Sequence, residues 1–292
     1  MGVLIVLLLG LVCFYKTPGK KAAMTMAEWE LERDFQITPT DVDVSEENAV
    51  LVFLEEEGIQ IFGEGAFFED GVLLIEKPGT YCLSGHLEGS ILVDVSQDES
   101  VHLILDGVEV YTSGGAALYV KSGFKVVVTA KEGSRNVFCD TPYYNKQEEA
   151  DSCVYSVADL TFNGTGATDI WGYYKDAVVS KGVIKVVDGT FAVRAKDDGI
   201  RGRDGVVIIG GALDIQAEGC GIKSTHSTNE KKGYVTIGGG EMTVLSGEHA
   251  VSAVQSLQIY DCNMHVRTVL DSFLCTGRLQ VAEDCVQYDK YE

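Results

Sequence analysis

Residues 184–224 read IKVVDGTFAVRAKDDGIRGRDGVVIIGGALDIQAEGCGIKS, and the second half of this stretch nearly repeats the first. Val186 corresponds to Ile208 and Phe191 corresponds to Leu213, each 22 residues later. Self-similarity at a fixed period near this length indicates a repeat architecture. The fold therefore depends on what one such unit forms and on how successive units stack.

The repeat continues on both sides of this stretch. One apolar position recurs in every unit, at Phe162, Val186, Ile208, Ile237, Ile259 and Val281. The interval before Ile237 is 29 residues, and the extra length fits a polar loop at 225–233. At least six repeats thus run from about Leu160 to Val281.

Within each unit the residues follow the period of a β-strand. Phe191, Val193 and Ala195 alternate with more polar neighbours, and glycine-rich turns divide each unit into two or three short strands. No stretch has the amphipathicity of a crossover helix. The pattern predicts an all-β parallel β-helix, whose coils hydrogen-bond to one another about 4.8 Å apart and stack the recurring apolar position inside. An all-β sandwich is the alternative, and six in-register repeats disfavour it.

The composition suits one elongated domain, predicted at 49–292. The chain has 292 residues, is 46% hydrophobic and carries a formal net charge of −21. A field of this sign repels nucleic acid, so we expect no nucleic-acid partner, and we expect a monomer. The acidic residues either keep the surface soluble or hold divalent cations.

An apolar run at 3–15 resembles the hydrophobic part of a signal peptide and is short for a membrane span. Lys16, Lys20 and Lys21 follow it, an order that the positive-inside rule does not associate with export. We nevertheless expect residues 1–21 to be a signal or membrane-anchor segment, with an extracellular or cell-surface location.

The segments that flank the clear repeats are less regular. Residues 22–48 are polar and acidic, which indicates a linker or a cap over the first coil. From Val50 onward, short apolar runs between glycine, proline and aspartate turns predict further coils. Residues 141–151 form a polar insertion.

The eight cysteines show no spacing typical of zinc ligands. Cys153 and Cys220 occupy repeat positions that accept any small residue, so we expect buried free thiols there. Cys262 and Cys285 lie about one coil apart, and a disulfide between them is left open.

Seven motifs resemble, in the same order, the bacterial carbohydrate-binding domain-containing proteins. They are GTYCLSG (79–85), LILDGVEV (103–110), ALYVKSG (117–123), DLTFNGTG (159–166), YKDAVVSK (174–181), AKDDGIRGRD (195–204) and GCGIKST (219–225). The resemblance implies a right-handed, pectate-lyase-like parallel β-helix that binds calcium and plant cell-wall polysaccharide. This sequence departs from the family pattern at the Asp-Gly-Ile turn, which is intact at 198–200 but is replaced by other residues in later coils.

Carboxylates fall on one turn of adjacent coils, namely those of Asp176, Asp197, Asp198 and Glu218. At one rung, about 5 Å, they would repel one another, and calcium with its six to eight oxygen ligands would relieve this. With the resemblance this predicts a calcium site; a solvated acidic turn is the alternative. Arg201 and Lys223, in one outward position of adjacent coils, are weak candidates for a lyase base, and charge balance is the simpler interpretation.

Five aromatic residues lie in or next to one turn: Trp171, Tyr173, Tyr174, Tyr143 and Tyr144. Pyranose rings pack on exposed aromatic rings, so these residues are the candidate carbohydrate-binding platform; the alternative is that some of them fill the core or cap a turn. The leading hypothesis is non-catalytic, calcium-stabilised binding of cellulose or polygalacturonate at the bacterial cell surface. A calcium-dependent lyase acting on uronates and a structural or adhesive surface protein are the alternatives.

Overall fold

The computed structural model describes residues 37–55, 58–144 and 149–289. The predicted signal or anchor segment at 1–21 and the acidic residues up to 36 lie outside this part. The regular secondary structure of the described residues is β-strand apart from two short 3₁₀ turns, and the strands form two sheets. No helix in the described part of the chain is long and apolar enough to cross a membrane.

Nearly all the strands stack as three parallel ladders. The first ladder contains β1 (Val50–Glu55), β5 (Gly79–Glu88), β7 (Ser100–Tyr111), β9 (Lys125–Ala130), β12 (Asp159–Gly164), β15 (Val183–Val186), β18 (Gly205–Ile208), β21 (Tyr234–Ile237), β24 (Ser256–Ile259) and β27 (Arg278–Val281). The second begins in the later halves of β5 and β7 and continues with β10 (Arg135–Cys139), β13 (Ala167–Gly172), β16 (Thr190–Ala195), β19 (Ala212–Ala217), β22 (Glu241–Ser246), β25 (Asn263–Thr268) and β28 (Val286–Tyr288). The third contains β4 (Val72–Ile75), β6 (Ser90–Asp94), β8 (Leu118–Ser122), β11 (Ser152–Ser156), β14 (Asp176–Ser180), β17 (Ile200–Gly202), β20 (Ile222–Ser224), β23 (Val251–Ala253) and β26 (Phe273–Cys275).

The recurring apolar position forms one continuous internal row in the first ladder. Phe162 pairs with Val186, Val186 with Ile208, and each later pair follows in register to Val281. Ile208, Ile237 and Ile259 are wholly buried. The predicted right-handed parallel β-helix is therefore confirmed.

The first coil differs from its prediction. The apolar runs from Val50 onward predict further coils, and β1 and β4 do join the parallel ladders, but β2 (Gly58–Phe62) pairs antiparallel with β1, and β3 (Ala66–Glu69) pairs antiparallel with β4. These two hairpins lie over the first edge of both sheets. The first-coil strands β1 and β4 are thus paired on both sides, and the outermost strands of this end, within the described residues, are the antiparallel β2 and β3.

Residues 37–48 form a strap on the outside of the first ladder. The strap contains a 3₁₀ turn at Pro39–Asp41, which places the Asp41 carboxylate between Lys125, at 2.8 Å, and Lys185, at 2.9 Å. Thr161 donates a hydrogen bond to the same carboxylate at 2.7 Å. The described part of the acidic segment therefore crosses β9, β12 and β15, and these contacts place it on the side of the helix instead of over its first coil.

The seven described cysteines are free thiols, and the prediction for Cys153 and Cys220 is confirmed, since both are buried. Cys262 and Cys285 are neighbours without a disulfide. Burial, together with the adjacent Cys285, raises the pKa of Cys262 to about 12. Cys262 and Cys285 therefore do not form a disulfide in this structure.

The strap gives a first testable prediction. Asp41→Ala leaves two buried lysines without their shared partner, and breaking a buried ion pair costs about 3–5 kcal/mol. Burial raises the pKa of Asp41, but hydrogen bonds from Lys125, Thr38 and Lys185 outweigh it and hold that pKa well below its usual value. A depressed carboxyl pKa stabilises the fold above the ordinary aspartate range, near pH 3.9, and this contribution is lost as the pH falls below that range.

Chemical denaturation of wild type and Asp41→Ala should therefore show a large difference at pH 7 that shrinks toward acid pH. Glu47→Ala, an exposed change in the same strap, is the control and should leave stability unchanged. Equal stability of wild type and Asp41→Ala at pH 7 would contradict this account of the strap.

Candidate functional site

The five predicted aromatic residues, hereafter the aromatic platform, lie at the end of β13 and in the loop that follows β10. Tyr144 and Tyr174 stack face to face, with ring centroids 4.1 Å apart and ring planes 10° apart. Trp171 and Tyr173 meet edge to face at 6.5 Å. The contact between Tyr144 and Tyr174 joins two successive coils, whereas within the described part of the chain Tyr143 makes no ring contact with the other four.

Most of the platform faces solvent. Tyr143 is 81% exposed, Tyr173 is 51% exposed and Tyr174 is 36% exposed, whereas Trp171 and Tyr144 are half-buried. None of the five fills the core. The alternative that some of these rings are core residues therefore does not hold for the structure.

Asp140 organises the platform, and the sequence analysis did not identify it. Its carboxylate accepts a hydrogen bond from the Tyr144 hydroxyl at 2.7 Å and another from the backbone N–H of Tyr173 at 2.5 Å. The N–H of Tyr174 lies at 3.3 Å from the same oxygen that Tyr173 contacts. A short acidic side chain directly after a strand is a local signal for hydrogen bonds to nearby backbone groups, but the backbone partners of Asp140 lie 33 and 34 residues ahead in the sequence.

The Asp140 carboxylate is only 2% exposed, and burial raises its pKa to about 6, although the three donated hydrogen bonds oppose this. The other titratable groups near it, Tyr144, Cys139 and Cys153, carry no positive charge. With a pKa of about 6, Asp140 is mostly ionised at pH 7, and in that form it accepts all three hydrogen bonds.

A second arrangement is a ladder of buried carboxylates at the start of the third-ladder strands. Asp176 accepts the backbone N–H of Asp198 at 2.9 Å, and Asp198 accepts that of Cys220 at 3.0 Å. A basic residue of the following coil pairs with each of these two aspartates. Arg201 lies 2.5 Å from Asp176, and Lys223 lies 2.9 Å from Asp198.

Three of the four predicted calcium residues come together. Asp176, Asp197 and Asp198 present carboxylate oxygens that lie within 4.8 Å of one another. Glu218 is more than half exposed and pairs with Lys196 at 2.5 Å, outside this group. A different neighbour, Glu248, forms a second group with Asp198 and Cys220.

The three aspartates fit calcium by donor type and spacing, because calcium takes several oxygen ligands at 2.3–2.6 Å. Two of them already have cationic partners in the protein, so an ion would share Asp176 with Arg201. Burial raises the pKa of Asp176, although Arg201 opposes this. A bound cation would further stabilise its ionised form.

Arg201 and Lys223 do lie in one outward column, as the repeat predicted. Burial lowers the pKa of each, but their aspartate partners outweigh burial and raise the pKa of both groups. Each remains protonated at neutral pH. Neither side chain is therefore prepared to accept a proton from a substrate.

Three comparisons place this geometry among known proteins. A family model described as carbohydrate-binding domain-containing protein matches residues 69–280. A protein of that description from Acetivibrio thermocellus is 31% identical over 255 residues, which are 86% of this chain and 89% of the relative. A solved structure of the polysaccharide lyase-like protein from C. thermocellum, a gadolinium derivative, is 29% identical with a TM-score of 0.80 and covers 82% of this chain and 98% of its own.

Proposed function

We propose that this chain, which belongs to the family of carbohydrate-binding domain-containing proteins, binds a polysaccharide on its aromatic platform without cleaving it. The observation that carries the proposal is the arrangement of exposed rings that the buried Asp140 holds in place. The family supplies the class of ligand, and the platform supplies a surface suited to it.

The platform has the two properties that sugar binding needs. Aromatic faces pack against the apolar face of a pyranose ring, and the polar edges of tyrosine and tryptophan remain available to its hydroxyl groups. The hydrogen bonds that Asp140 accepts order the turn and the loop before any ligand arrives, so less conformational entropy is lost on binding. A flexible cluster of the same residues would bind more weakly.

The state of two basic residues supports binding without cleavage. A lyase needs a base that accepts the proton next to a uronate carboxylate. The raised pKa of Lys223 and that of Arg201 oppose this role, and both residues are engaged with buried aspartates. Their geometry supports charge balance within the carboxylate ladder.

Calcium binding and a cell-surface location complete the proposal. Asp176, Asp197 and Asp198 would hold the ion. By binding carboxylates of two successive coils, the ion would remove the repulsion between these carboxylates and link the coils. The solved neighbour is a gadolinium derivative, and gadolinium, like calcium, is a hard cation that prefers oxygen ligands. The apolar run at 3–15 supports export or anchoring at the cell surface.

Affinity electrophoresis through gels that contain a soluble cellulose derivative tests the proposed function. Wild type should be retarded, and Trp171→Ala should lose roughly fivefold in affinity, since one aromatic contact is worth about 1 kcal/mol. Phe124→Ala removes another exposed ring, 59% accessible and outside the platform, and should behave as wild type. Equal retardation of wild type and Trp171→Ala would remove the platform from the binding site.

A further inference from the structure

The last coil of the helix is paired on one side only. It contains β26, β27 and β28, and within the described residues no strand pairs with their outer edges. Leu279 pairs with Leu257 of the preceding coil, but Leu257 is wholly buried whereas Leu279 is 51% exposed. Tyr288 pairs with the buried Val266 and is 62% exposed. Because the last coil lacks the contacts that a further coil would supply, it should open more easily than the coils before it.

Two cysteines lie at the same corner of the last two coils. Cys262 lies in the turn between β24 and β25, and Cys285 ends the 3₁₀ turn Glu283–Cys285 between β27 and β28. β24 pairs with β27 and β25 pairs with β28, both in parallel, so these two turns lie side by side. The pair therefore spans the boundary between the last coil and the coil before it.

The two thiols are close neighbours inside this corner. Cys285 is only 6% exposed, and the half-buried Cys262 packs against the core cluster to which Cys285 belongs. Burial raises the pKa of Cys262 to about 12, and Cys285, Asp261 and Asp284 act in the same direction. Disulfides join residues whose Cα atoms lie roughly 4.4–6.8 Å apart, and adjacent coils are about 4.8 Å apart. The spacing of the coils is therefore compatible with a disulfide at this corner.

We propose that Cys262 and Cys285 form a site of oxidative modification, at which a low-molecular-weight disulfide closes a bond that fastens the last coil to the coil before it. The structure then describes the reduced form, in which both thiols are free. Disulfides form and persist outside the cytosol, where the proposed cell-surface location would expose the pair to such oxidants. This inference concerns the stability of one end of the helix, goes beyond polysaccharide binding and does not depend on it.

The reaction consists of two successive thiol–disulfide exchanges. The more accessible Cys262 loses its proton to solvent, and its thiolate attacks one sulfur of the small disulfide, whose S–S bond breaks and releases one thiolate. Cys285 is deprotonated in turn and attacks the Cys262 sulfur, which forms the bond between the two residues and releases the second small thiolate. Two protein thiols are thus oxidised, and one small disulfide is reduced to two thiols. The raised pKa of Cys262 makes the first exchange slow at neutral pH and faster as the pH rises.

The bond would close a loop over residues 262–285, which contains β25, β26 and β27. Opening of the last coil should become about a hundredfold rarer, which corresponds to about 3 kcal/mol for a loop of this size. The backbone N–H of Ala282 reports on this opening, because it donates a hydrogen bond to the carbonyl of Ile259 in the preceding coil at 2.9 Å. Hydrogen exchange of this amide therefore measures how firmly the last coil is held.

The test exposes the reduced full chain to oxidised glutathione at about pH 8.5, near the ordinary pKa of a thiol, and maps the products by peptide mass spectrometry after alkylation. We expect a peptide pair linked through Cys262 and Cys285, with amide exchange of Ala282 about a hundredfold slower than in chain kept in dithiothreitol at the same pH. Cys285→Ser should give no linked pair, and its exchange at Ala282 should not respond to the oxidant. Cys82→Ser removes another half-buried thiol, in β5, and should behave as wild type. Thermal melting verifies that each variant is folded.

Each outcome of this experiment decides the inference. The linked pair in wild type, together with slower exchange at Ala282, supports it. Glutathione adducts alone, or folded chain without the linked pair after prolonged incubation, overturn it. A linked pair with unchanged exchange at Ala282 overturns it as well, because the bond would then not fasten the last coil. If Cys285→Ser disturbs folding, Cys262→Ser removes the more accessible thiol of the same pair and replaces it in the comparison.

Discussion

Ile208→Asp should abolish the folded state. Ile208 is wholly buried in the internal row, between Val186 and Ile237, and its neighbours on both sides are apolar. A carboxylate there would have no partner, and an unpaired buried charge costs more than the roughly 5–15 kcal/mol by which natural domains are stable, unless it is neutralised. We expect insoluble protein, or soluble protein with no cooperative melting transition by circular dichroism.

Two control variants make this prediction specific. Gln216→Asp places the same group at an exposed, outward position of β19 in the same coil and should melt as wild type does. Ile208→Val keeps the apolar character and should cost only about 0.5–1.5 kcal/mol. A cooperative transition in Ile208→Asp near the wild-type temperature would mean that this position is not in the core.

The interior of the helix was predictable because the repeat carries its own register. An interval of 22 residues between apolar positions, lengthened to 24 before Val186 and to 29 before Ile237, is enough to align β12, β15, β18, β21, β24 and β27. The first coil was not predictable in this way. Alternating residues such as those of β1 and β2 look alike whether the strands pair in parallel or antiparallel, so the hairpin caps left no distinct pattern.

The strap was not predictable, for a related reason. Asp41 lies 84 residues before Lys125 and 144 residues before Lys185, and neither lysine has a local feature that marks it as buried. Lysines on the outward side of a strand are usually solvated. Only the folded arrangement shows that both side chains converge on one carboxylate.

The candidate sites also contain residues that the sequence predicts and residues that it does not. Trp171, Tyr173 and Tyr174 are close in sequence, so their proximity is predictable, but Tyr143 and Tyr144 lie in an insertion whose position the repeat does not determine. Asp140 does not follow from the repeat, because its role depends on backbone N–H groups of the next coil. Ala195 pairs with Ala217, so Glu218 lies in the repeat position of Lys196, which binds it at the surface, and the position of Asp197 is taken by Gly219 in the next coil.

Charge sets a condition on any binding of polygalacturonate. The chain and this polymer are both polyanions, so direct contact is opposed at long range. Calcium held by Asp176, Asp197 and Asp198 could also take oxygens from a uronate, because its six to eight ligand positions exceed what three carboxylates fill as single-oxygen ligands. The proposed calcium site thus predicts a binding mode that differs from stacking on the platform.

In gels that contain polygalacturonate, we therefore expect retardation with calcium and complete loss of retardation with chelator. Binding to a neutral glucan should largely persist under both conditions. Asp197→Asn should weaken the calcium-dependent retardation, because Asp197 is the half-buried member of the three and its loss leaves both buried ion pairs intact. Glu132→Gln, which removes one exposed negative charge elsewhere, is the matched control. Retardation by polygalacturonate that survives chelator, or its absence when calcium is present, would show that calcium does not bridge the two polyanions.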